Sequence, residues 1–238
     1  MTWSIIAHDA EAGHIGIAVA SKFLAVGALV PAIKSGVGAI ASQAFINPMF
    51  RARGLALLSA GATPDDVVRL LQVADEGRDH RQVHVMDREG RTAAYTGAAC
   101  VDWCGHRVAP GLSIAGNMLA GDTVIDATLA AYQAANDLPL GRRLIAAMQA
   151  GEAAGGDKRG KQAAAVLIHD EEDYPLLDLR VDDAAEPLAE LERLAGIAET
   201  RWAHFRKLMP GRANPTGLLN REEREAAIPA AIAETGNT

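Results

Sequence analysis

The sequence predicts an α+β protein in which two antiparallel β-sheets lie face to face and paired helices cover their outer sides, a four-layer αββα sandwich. Strand-like and helix-like segments come in groups along the 238 residues, and this grouping disfavours a doubly wound parallel sheet. The run over 15–20 is apolar without clean alternation, as expected of an inner strand that is buried on both faces.

Length and composition fit one large globular domain. Apolar residues make up 49% of the chain and charged residues 22%, which is typical of soluble globular proteins. A net charge of -7, without a stripe of Lys and Arg, argues against a nucleic-acid-binding surface. No segment resembles a membrane span or a signal peptide. We therefore expect a cytoplasmic protein that binds neither nucleic acid nor membrane, with Cys100 and Cys104 as free thiols.

The chain opens with up to four predicted strands. Apolar runs over 3–8 and 14–20 are separated by a turn-rich link, which indicates a β-hairpin. Two more runs, over 30–34 and 37–43, are separated at Ser35-Gly36, where glycine permits a tight turn.

The pattern then changes to helical spacing. Leucines at 55, 57 and 58 precede Gly61, and Thr63 followed by Pro64 predicts the N-cap and first position of a second helix. The remaining predicted elements are strands over 82–86, 92–96 and 112–117, helices over 122–135 and 139–150, strands over 166–169 and 176–181, and a helix from 187 to about 208.

The predicted domain spans residues 1–208. Residues 209–238 contain two prolines and two glycines in their first part, which indicates an extended C-terminal arm. Arms of this kind often pack on a neighbouring subunit, and we expect a homo-oligomer.

Many separate segments of the chain resemble the domain-of-unknown-function 1028 family, whose members are often labelled as uncharacterised proteins of the N-terminal nucleophile hydrolase superfamily. The segments are Thr2-Trp-Ser-Ile-Ile-Ala-His-Asp, Ala18-Val-Ala-Ser-Lys-Phe, Gly38-Ala-Ile-Ala-Ser-Gln, Asp79-His-Arg-Gln, Gly97-Ala-Ala-Cys, Gly116-Asn-Met-Leu, Gly155-Gly-Asp-Lys-Arg-Gly and Leu177-Asp-Leu-Arg-Val-Asp-Asp. The resemblance covers about the first two hundred residues. It implies the αββα fold and supplies no substrate.

Thr2 is the candidate nucleophile. Loss of Met1 is favoured before a small residue and leaves a hydroxyl and a free amine on Thr2. That amine titrates near ~8, so it can accept the hydroxyl proton without a separate histidine base. The alternative is that Met1 is retained and Thr2 merely begins an edge strand.

Lys34 is the candidate electrostatic partner of Thr2. Its spacing from Thr2 resembles that of the nucleophile and lysine in proteasome-type members of the superfamily, and a cation there would lower the pKa of the amine. Lys22 is the competing cation, and either lysine is alternatively a strand residue with a solvated ammonium. The acidic residue that the proteasome pattern has shortly before the lysine on the second strand is missing from 18–21.

Asn117 is the candidate oxyanion donor, with helix N-capping as its alternative role. Its segment joins a predicted strand to a predicted helix, where backbone N–H groups are also free to bind an anion. Substrate contact is assigned to Ser21, Lys22, Asp79, His80, Asp157 and Arg159. The alternatives are loop solvation for the 79–80 pair and a surface turn pair at 157 and 159.

The function expected from these residues is hydrolysis of a small, non-peptide amide, without a cofactor. Cys100, Cys104 and His106 have a spacing that only faintly suggests a metal site, and we assign no metal. No nucleotide-binding loop or Gly-x-Ser-x-Gly elbow occurs. The alternative function is a non-catalytic, oligomeric binding or structural protein of the same fold.

Overall fold

The computed structural model describes residues 2–235, which divide into two compact units, one up to Leu191 and one from Glu192 onward. Both β-sheets belong to the first unit. The prediction of an α+β protein with two antiparallel sheets is confirmed. The placement of a domain boundary at residue 208 stays a prediction.

The larger sheet has six antiparallel strands in the order β10-β9-β2-β1-β8-β7. Its strands are β1 Thr2–Asp9, β2 His14–Ser21, β7 Trp103–Ala109, β8 Leu112–Leu119, β9 Ala163–His169 and β10 Leu177–Val181. The first strand of the chain lies inside this sheet, where it pairs with β2 on one side and β8 on the other. Strand pairing holds residue 2 on the β8 side, opposite Asn117, and holds residue 3 on both sides.

The smaller sheet has four antiparallel strands in the order β3-β4-β5-β6. They are β3 Pro31–Lys34, β4 Gly38–Ala44, β5 Arg81–Asp87 and β6 Thr92–Thr96. Buried side chains of β4 and β5 are hydrogen-bonded to those of β1 and β8, and these bonds link the two sheets.

Helices flank each sheet. In the first unit they are α1 Val26–Leu29, α2 Met49–Ser59, α3 Pro64–Val73, α4 Thr123–Ala134 and α5 Leu140–Ala153. Helices α2 and α3 contact the smaller sheet, whereas α4 and α5 contact the larger one. The predicted N-cap of α3 is confirmed, because Thr63 Oγ1 accepts a hydrogen bond from the backbone N–H of Asp66.

The two faces of the smaller sheet bury different side chains. Ala39 and Ala41 belong to a core cluster shared with β1, β2 and β9, whereas Ile40 between them joins a cluster with α2 and α3. Successive strand residues point to opposite faces, and here both faces are covered. This explains why apolar and polar residues do not alternate over residues 39–41 of β4.

Gly54 lets α2 approach β4 closely, since a Cβ there would lie 2.5 Å from Ile40 Cδ1.

Strand β7 was not predicted. It is an edge strand whose last three residues are exposed, and its pairing with β8 shifts register between Trp103 and Gly105. Edge exposure and an irregular register remove the hydrophobic pattern on which strand prediction depends. The region therefore gave no clear strand signal.

The C-terminal part of the chain is more helical than predicted. Helix α6, Pro187–Ile197, passes through a π-helical turn, Ala198–Trp202, into α7, Ala203–Arg206. A helix over Arg221–Thr235, α8, replaces part of the expected extended arm. Its signal was Asn220, whose side chain accepts from the N–H groups of the first turn. The prolines and glycines that suggested an arm all precede this helix.

Candidate functional site

Thr2 lies at the start of β1, opposite Asn117 of β8. Its Oγ1 is 3.1 Å from Oγ of Ser21, the last residue of β2, and its carbonyl accepts a 3.2 Å hydrogen bond from Asn117 Nδ2. Thr2 is 6% exposed, so both contacts are made in a largely desolvated environment. Met1 lies outside the described residues, and the prediction that it is removed remains a prediction.

A buried polar network continues from Thr2 into the space between the two sheets. Its members come from β1, β4, β5, β6, β7 and β8 and are joined by side-chain hydrogen bonds of 2.7 to 3.2 Å. They are Thr2, Ser4, Gln43, Gln82, His84, Thr96, His106, Ser113 and Asn117. Buried polar groups in a low-dielectric interior are costly unless paired, so these hydrogen bonds fix the relative position of the sheets around Thr2.

Gln82 is the centre of this network. Its Oε1 accepts from Gln43 Nε2 at 2.8 Å and from Asn117 Nδ2 at 3.0 Å. Its Nε2 lies within 3.0 Å of the carbonyls of Gly105 and Gly116 and of the Thr96 hydroxyl. The side chain is completely buried, and every donor and acceptor of its amide has a partner. One residue of the smaller sheet thus holds β7 and β8 of the larger sheet.

His84 is held as a neutral imidazole. Ser4 donates its hydroxyl hydrogen to Gln43 Oε1 at 2.7 Å, so the 2.8 Å contact between Ser4 Oγ and His84 Nε2 requires the imidazole to donate. The Nδ1 atom then accepts from the Ser113 hydroxyl, 2.9 Å away. Burial, with a smaller effect of His106, lowers the pKa of His84 to about 3. The network therefore carries no charge at His84 near neutral pH.

The segment that faintly suggested a metal site does not form one. His106 Nδ1 lies 2.9 Å from the Thr96 hydroxyl, and burial lowers the pKa of this imidazole. The pKa values of the Cys100 and Cys104 thiols are raised, chiefly by burial, which disfavours their thiolates. Within residues 2–235, no three His, Cys, Asp or Glu side chains are grouped so as to hold a metal ion.

Two cavities flank the end of β4 beside Thr2 and Asn117. The smaller, of about 60 Å³, is lined by Thr2, Phe23, Val26, Leu29, Val30, Gln43, Ala44 and Ile46. The larger, of about 270 Å³, is lined by Ala44, Phe45, His80, Ala99, Cys100, Val101, Asn117 and Met118. Ala44 lines both cavities.

The backbone beside these cavities is strained. Ala44 has a φ of 68° and Met118 a φ of 54°, values that residues with a Cβ rarely adopt. Such conformations cost about 1–3 kcal/mol each and cluster at functional sites. The strain thus marks the same end of the sheets as the cavities do.

The family model described as "Family of unknown function (DUF1028)" matches residues 2–191, most of the chain. The chain belongs to this DUF1028 family. The crystal structure of protein SPO2555 from Silicibacter pomeroyi, described as DUF1028, is 34% identical and has a TM-score of 0.85, covering 92% of this chain and 99% of that one. No curated protein matches the chain.

Lys34 lies far from Thr2 in this DUF1028 fold, so the prediction that it acts as the electrostatic partner is corrected. It pairs with Gly38 at the opposite end of β4 from Ala44, six residues along the strand. At the usual rise per residue this separation is about 20 Å. Its ammonium is exposed to solvent and donates to Ser59 Oγ at 3.0 Å.

The side chain of Asn117 is not free to serve as an oxyanion donor. Both hydrogens of its amide are committed, one to the Thr2 carbonyl and one to Gln82 Oε1. The alternative of helix capping is also wrong, because Asn117 lies within β8 and Asp122 precedes the next helix. Asn117 instead ties Thr2 to the network.

Three of the predicted substrate contacts lie together next to Ser21, which itself touches Thr2. The Asp157 carboxylate accepts from the backbone N–H of Lys22 at 2.7 Å and from that of Arg159 at 2.8 Å. Its side chain is only 2% exposed and pairs with the Arg159 guanidinium, so it is not a surface turn pair. The Lys22 ammonium is exposed and donates to the Lys161 carbonyl. Asp157 therefore fixes the end of β2 beside Thr2.

Asp157→Ala is expected to lower the free energy of unfolding by about 2–3 kcal/mol, because the N–H groups of Lys22 and Arg159 lose a buried acceptor. Urea unfolding measures the loss. Asp178→Ala, at an exposed site on β10, is the matched control and should change stability by less than about 0.5 kcal/mol. Equal losses in the two variants would contradict the role of Asp157.

Of the remaining predicted contact residues, Asp79 and His80, only one lines a cavity. His80 lines the larger cavity, whereas Asp79 is exposed and does not line either cavity. The backbone carbonyls of both residues are used, accepting from Ala99 and Phe45 respectively. Whether any of the predicted contact residues binds substrate stays a prediction.

Sequence analysis did not identify most members of the network as site residues. Their signal is polar side chains spaced by two within otherwise apolar strands, Ser4 after Thr2 and His84 after Gln82. Side chains spaced by two share one face of a strand, so this pattern marks a polar patch on a buried face. Which patches meet depends on the pairing of strands from different sheets, and a single sequence does not reveal it.

Proposed function

We propose that this DUF1028 protein is an N-terminal nucleophile hydrolase with a four-layer αββα sandwich, and that Thr2 cleaves an amide. The observation that carries the proposal is that Thr2, whose hydroxyl lies beside Ser21, lines a cavity between the ends of β1 and β4. A nucleophile needs this combination of fixed orientation and access to a substrate cavity.

In the proposed reaction, Thr2 Oγ1 attacks the carbonyl carbon while the free α-amine of Thr2 takes the hydroxyl proton. The carbon–nitrogen bond breaks, and the leaving amine takes that proton. An ester to Thr2 remains, and water hydrolyses it to release the carboxylic acid and the threonine hydroxyl. The sum is amide plus water giving acid plus amine, without a cofactor.

The neutral network supports this chemistry by positioning. Asn117 binds the Thr2 carbonyl, and Gln82 holds Asn117, so the first residue of β1 cannot shift without breaking buried hydrogen bonds. Ser21 orients the hydroxyl itself. Misplacing reacting atoms by about 1 Å can cost on the order of a hundredfold in rate, so a rigid support favours catalysis.

The test is an activity screen against a panel of small amides, with release of amine followed by mass spectrometry. Thr2→Ala is expected to abolish turnover, and Thr2→Ser to retain it, because serine keeps both the hydroxyl and the α-amine. The mass of the purified native protein should show that Met1 has been removed. Equal turnover by native protein and Thr2→Ala would end the Thr2 mechanism.

A second candidate is a non-catalytic binding protein of the same fold. The small exposure of Thr2 favours this alternative. Retention of Met1 in mature, functional protein would support it.

Among residues 2–235, no helix is long and apolar enough to cross a membrane. Action in the cytoplasm and assembly as a homo-oligomer remain proposals for either function.

A further inference from the structure

We infer that the two cavities beside Thr2 together bind an uncharged amide that carries an apolar group on each side of its carbonyl. The inference rests on the proposed function for the position of the carbonyl, next to the Thr2 hydroxyl. It adds the class of ligand, which neither the family nor the proposed reaction specifies.

The smaller cavity offers mainly apolar contact, and none of the side chains that line it is charged. Apart from Thr2 and Gln43, its lining consists of apolar side chains from α1 and its two flanking segments, from the end of β4 and from the segment after β4. The Gln43 amide hydrogens are already donated to Gln82 and to the Ala115 carbonyl. A ligand group here therefore meets methyl, methylene and aromatic surface, and its volume of about 60 Å³ suits a short alkyl chain.

The larger cavity is also mainly apolar. Phe45, Val101 and Met118 supply most of its large side chains, and its polar lining residues are His80, Cys100 and Asn117. The two volumes together reach the lower end of the range of about 300–1,000 Å³ that small-molecule sites occupy. The larger group of the ligand belongs on this side.

Charged side chains near the cavities are bound to protein partners. Arg81 donates to Asp75 at 2.9 Å and to the Phe45 carbonyl, and it stacks on the Phe45 ring. The Lys22 ammonium donates to the Lys161 carbonyl. Among the described residues, no Asp, Glu, Lys or Arg side chain lines either cavity. A ligand carboxylate or ammonium would therefore be desolvated there without a charged lining side chain to pair with, which disfavours charged ligands.

Exposed aromatic side chains stand at the mouths of both cavities. Phe23 is 51% exposed at the smaller cavity and Phe45 is 73% exposed at the larger. Large apolar side chains exposed beside a concave site favour contact with an apolar ligand. A second copy of the chain is the other occupant that would cover them, and the test separates the two.

The test measures binding to Thr2→Ala protein, so that turnover does not interfere. The neutral probe is N-propylbutanamide. In the two charged probes one terminal methyl group is replaced, by a carboxylate in N-propylsuccinamate and by an ammonium in N-(2-aminoethyl)butanamide. Calorimetry or ligand-observed NMR gives each Kd. The neutral amide should bind at least about tenfold more tightly than either charged probe. Equal or tighter binding of a charged probe would overturn the inference.

Two variants with adjacent controls locate the site. Ala99→Phe fills the larger cavity and should weaken binding of the neutral amide at least about tenfold, whereas Ala98→Phe, at an exposed residue outside both linings, should not. Phe23→Arg removes apolar contact from the smaller cavity and should weaken binding of the neutral amide, whereas Leu24→Arg, at an exposed residue outside both linings, should not. Equal effects within either pair would place the ligand elsewhere and overturn the inference.

The native protein separates this inference from the proposed catalysis. Selective binding of N-propylbutanamide without its hydrolysis would leave the ligand class intact and remove the Thr2 mechanism. Hydrolysis restricted to charged amides would keep the mechanism and overturn the ligand class. If no probe binds and Phe45→Asp turns an oligomer into monomers in sedimentation, the aromatic mouth is an interface between copies and the inference fails.

Discussion

Gln82→Ala is expected to lower the free energy of unfolding by about 4 kcal/mol. The substitution removes one amide and leaves several buried groups unpaired, each worth about 1–3 kcal/mol when unsatisfied. These groups are the amide hydrogens of Gln43 and Asn117, the carbonyls of Gly105 and Gly116, and the Thr96 hydroxyl. Some of them will find water or one another, so the expected loss is below the sum.

Urea unfolding at neutral pH measures this loss. Gln133→Ala, at an exposed position of α4, is the matched control and should stay within about 0.5 kcal/mol of the native protein. A loss below about 1 kcal/mol for Gln82→Ala, after correction for the control, would mean that the network relaxes easily and does not fix the sheets.

The fold was largely predictable because most strands and helices carry their own local signal. Thr63 and Pro64 mark the start of α3 by capping chemistry, which acts within one turn. The apolar run of β4 follows from burial on both faces. Strand β7 and helix α8 were missed because an irregular edge strand and a mostly exposed helix bury few apolar side chains at regular spacing.

The candidate site was less predictable, because it depends on which strand ends meet. Thr2 and Ser21 were chosen separately, and the structure brings them together through the antiparallel pairing of β1 and β2. Lys34 was chosen by its spacing from Thr2 along the chain, yet the register of β3 on β4 carries it to the far end of the sheet. Spacing along the chain predicts contact only when the strand pairing is known.

The pH dependence of stability should be dominated near pH 5–7 by His84. Its pKa is about 3 in the folded protein and near the ordinary histidine value of 6.5 in the unfolded chain, so the unfolded chain binds more protons between these values. The contribution of His84 to the free energy of unfolding is therefore fully present above pH 6.5 and is lost as the pH falls toward 3. Between pH 7 and pH 5 the expected loss from this residue is about 2 kcal/mol.

Urea unfolding of native protein and His84→Gln at pH 7 and pH 5 isolates this contribution. The glutamine variant should lose about 2 kcal/mol less than the native protein over this interval, whatever its absolute stability, because it cannot be protonated. His106 also has a lowered pKa, so its protonation reduces the free energy of unfolding as the pH falls. This loss occurs in native protein and in His84→Gln, and it therefore cancels when the two are compared. His14→Gln, the same change on β2 outside the network, should retain the native pH dependence. If His84→Gln and native protein lose stability equally, the imidazole is protonated as readily when folded as when unfolded, and a neutral network around Thr2 is excluded.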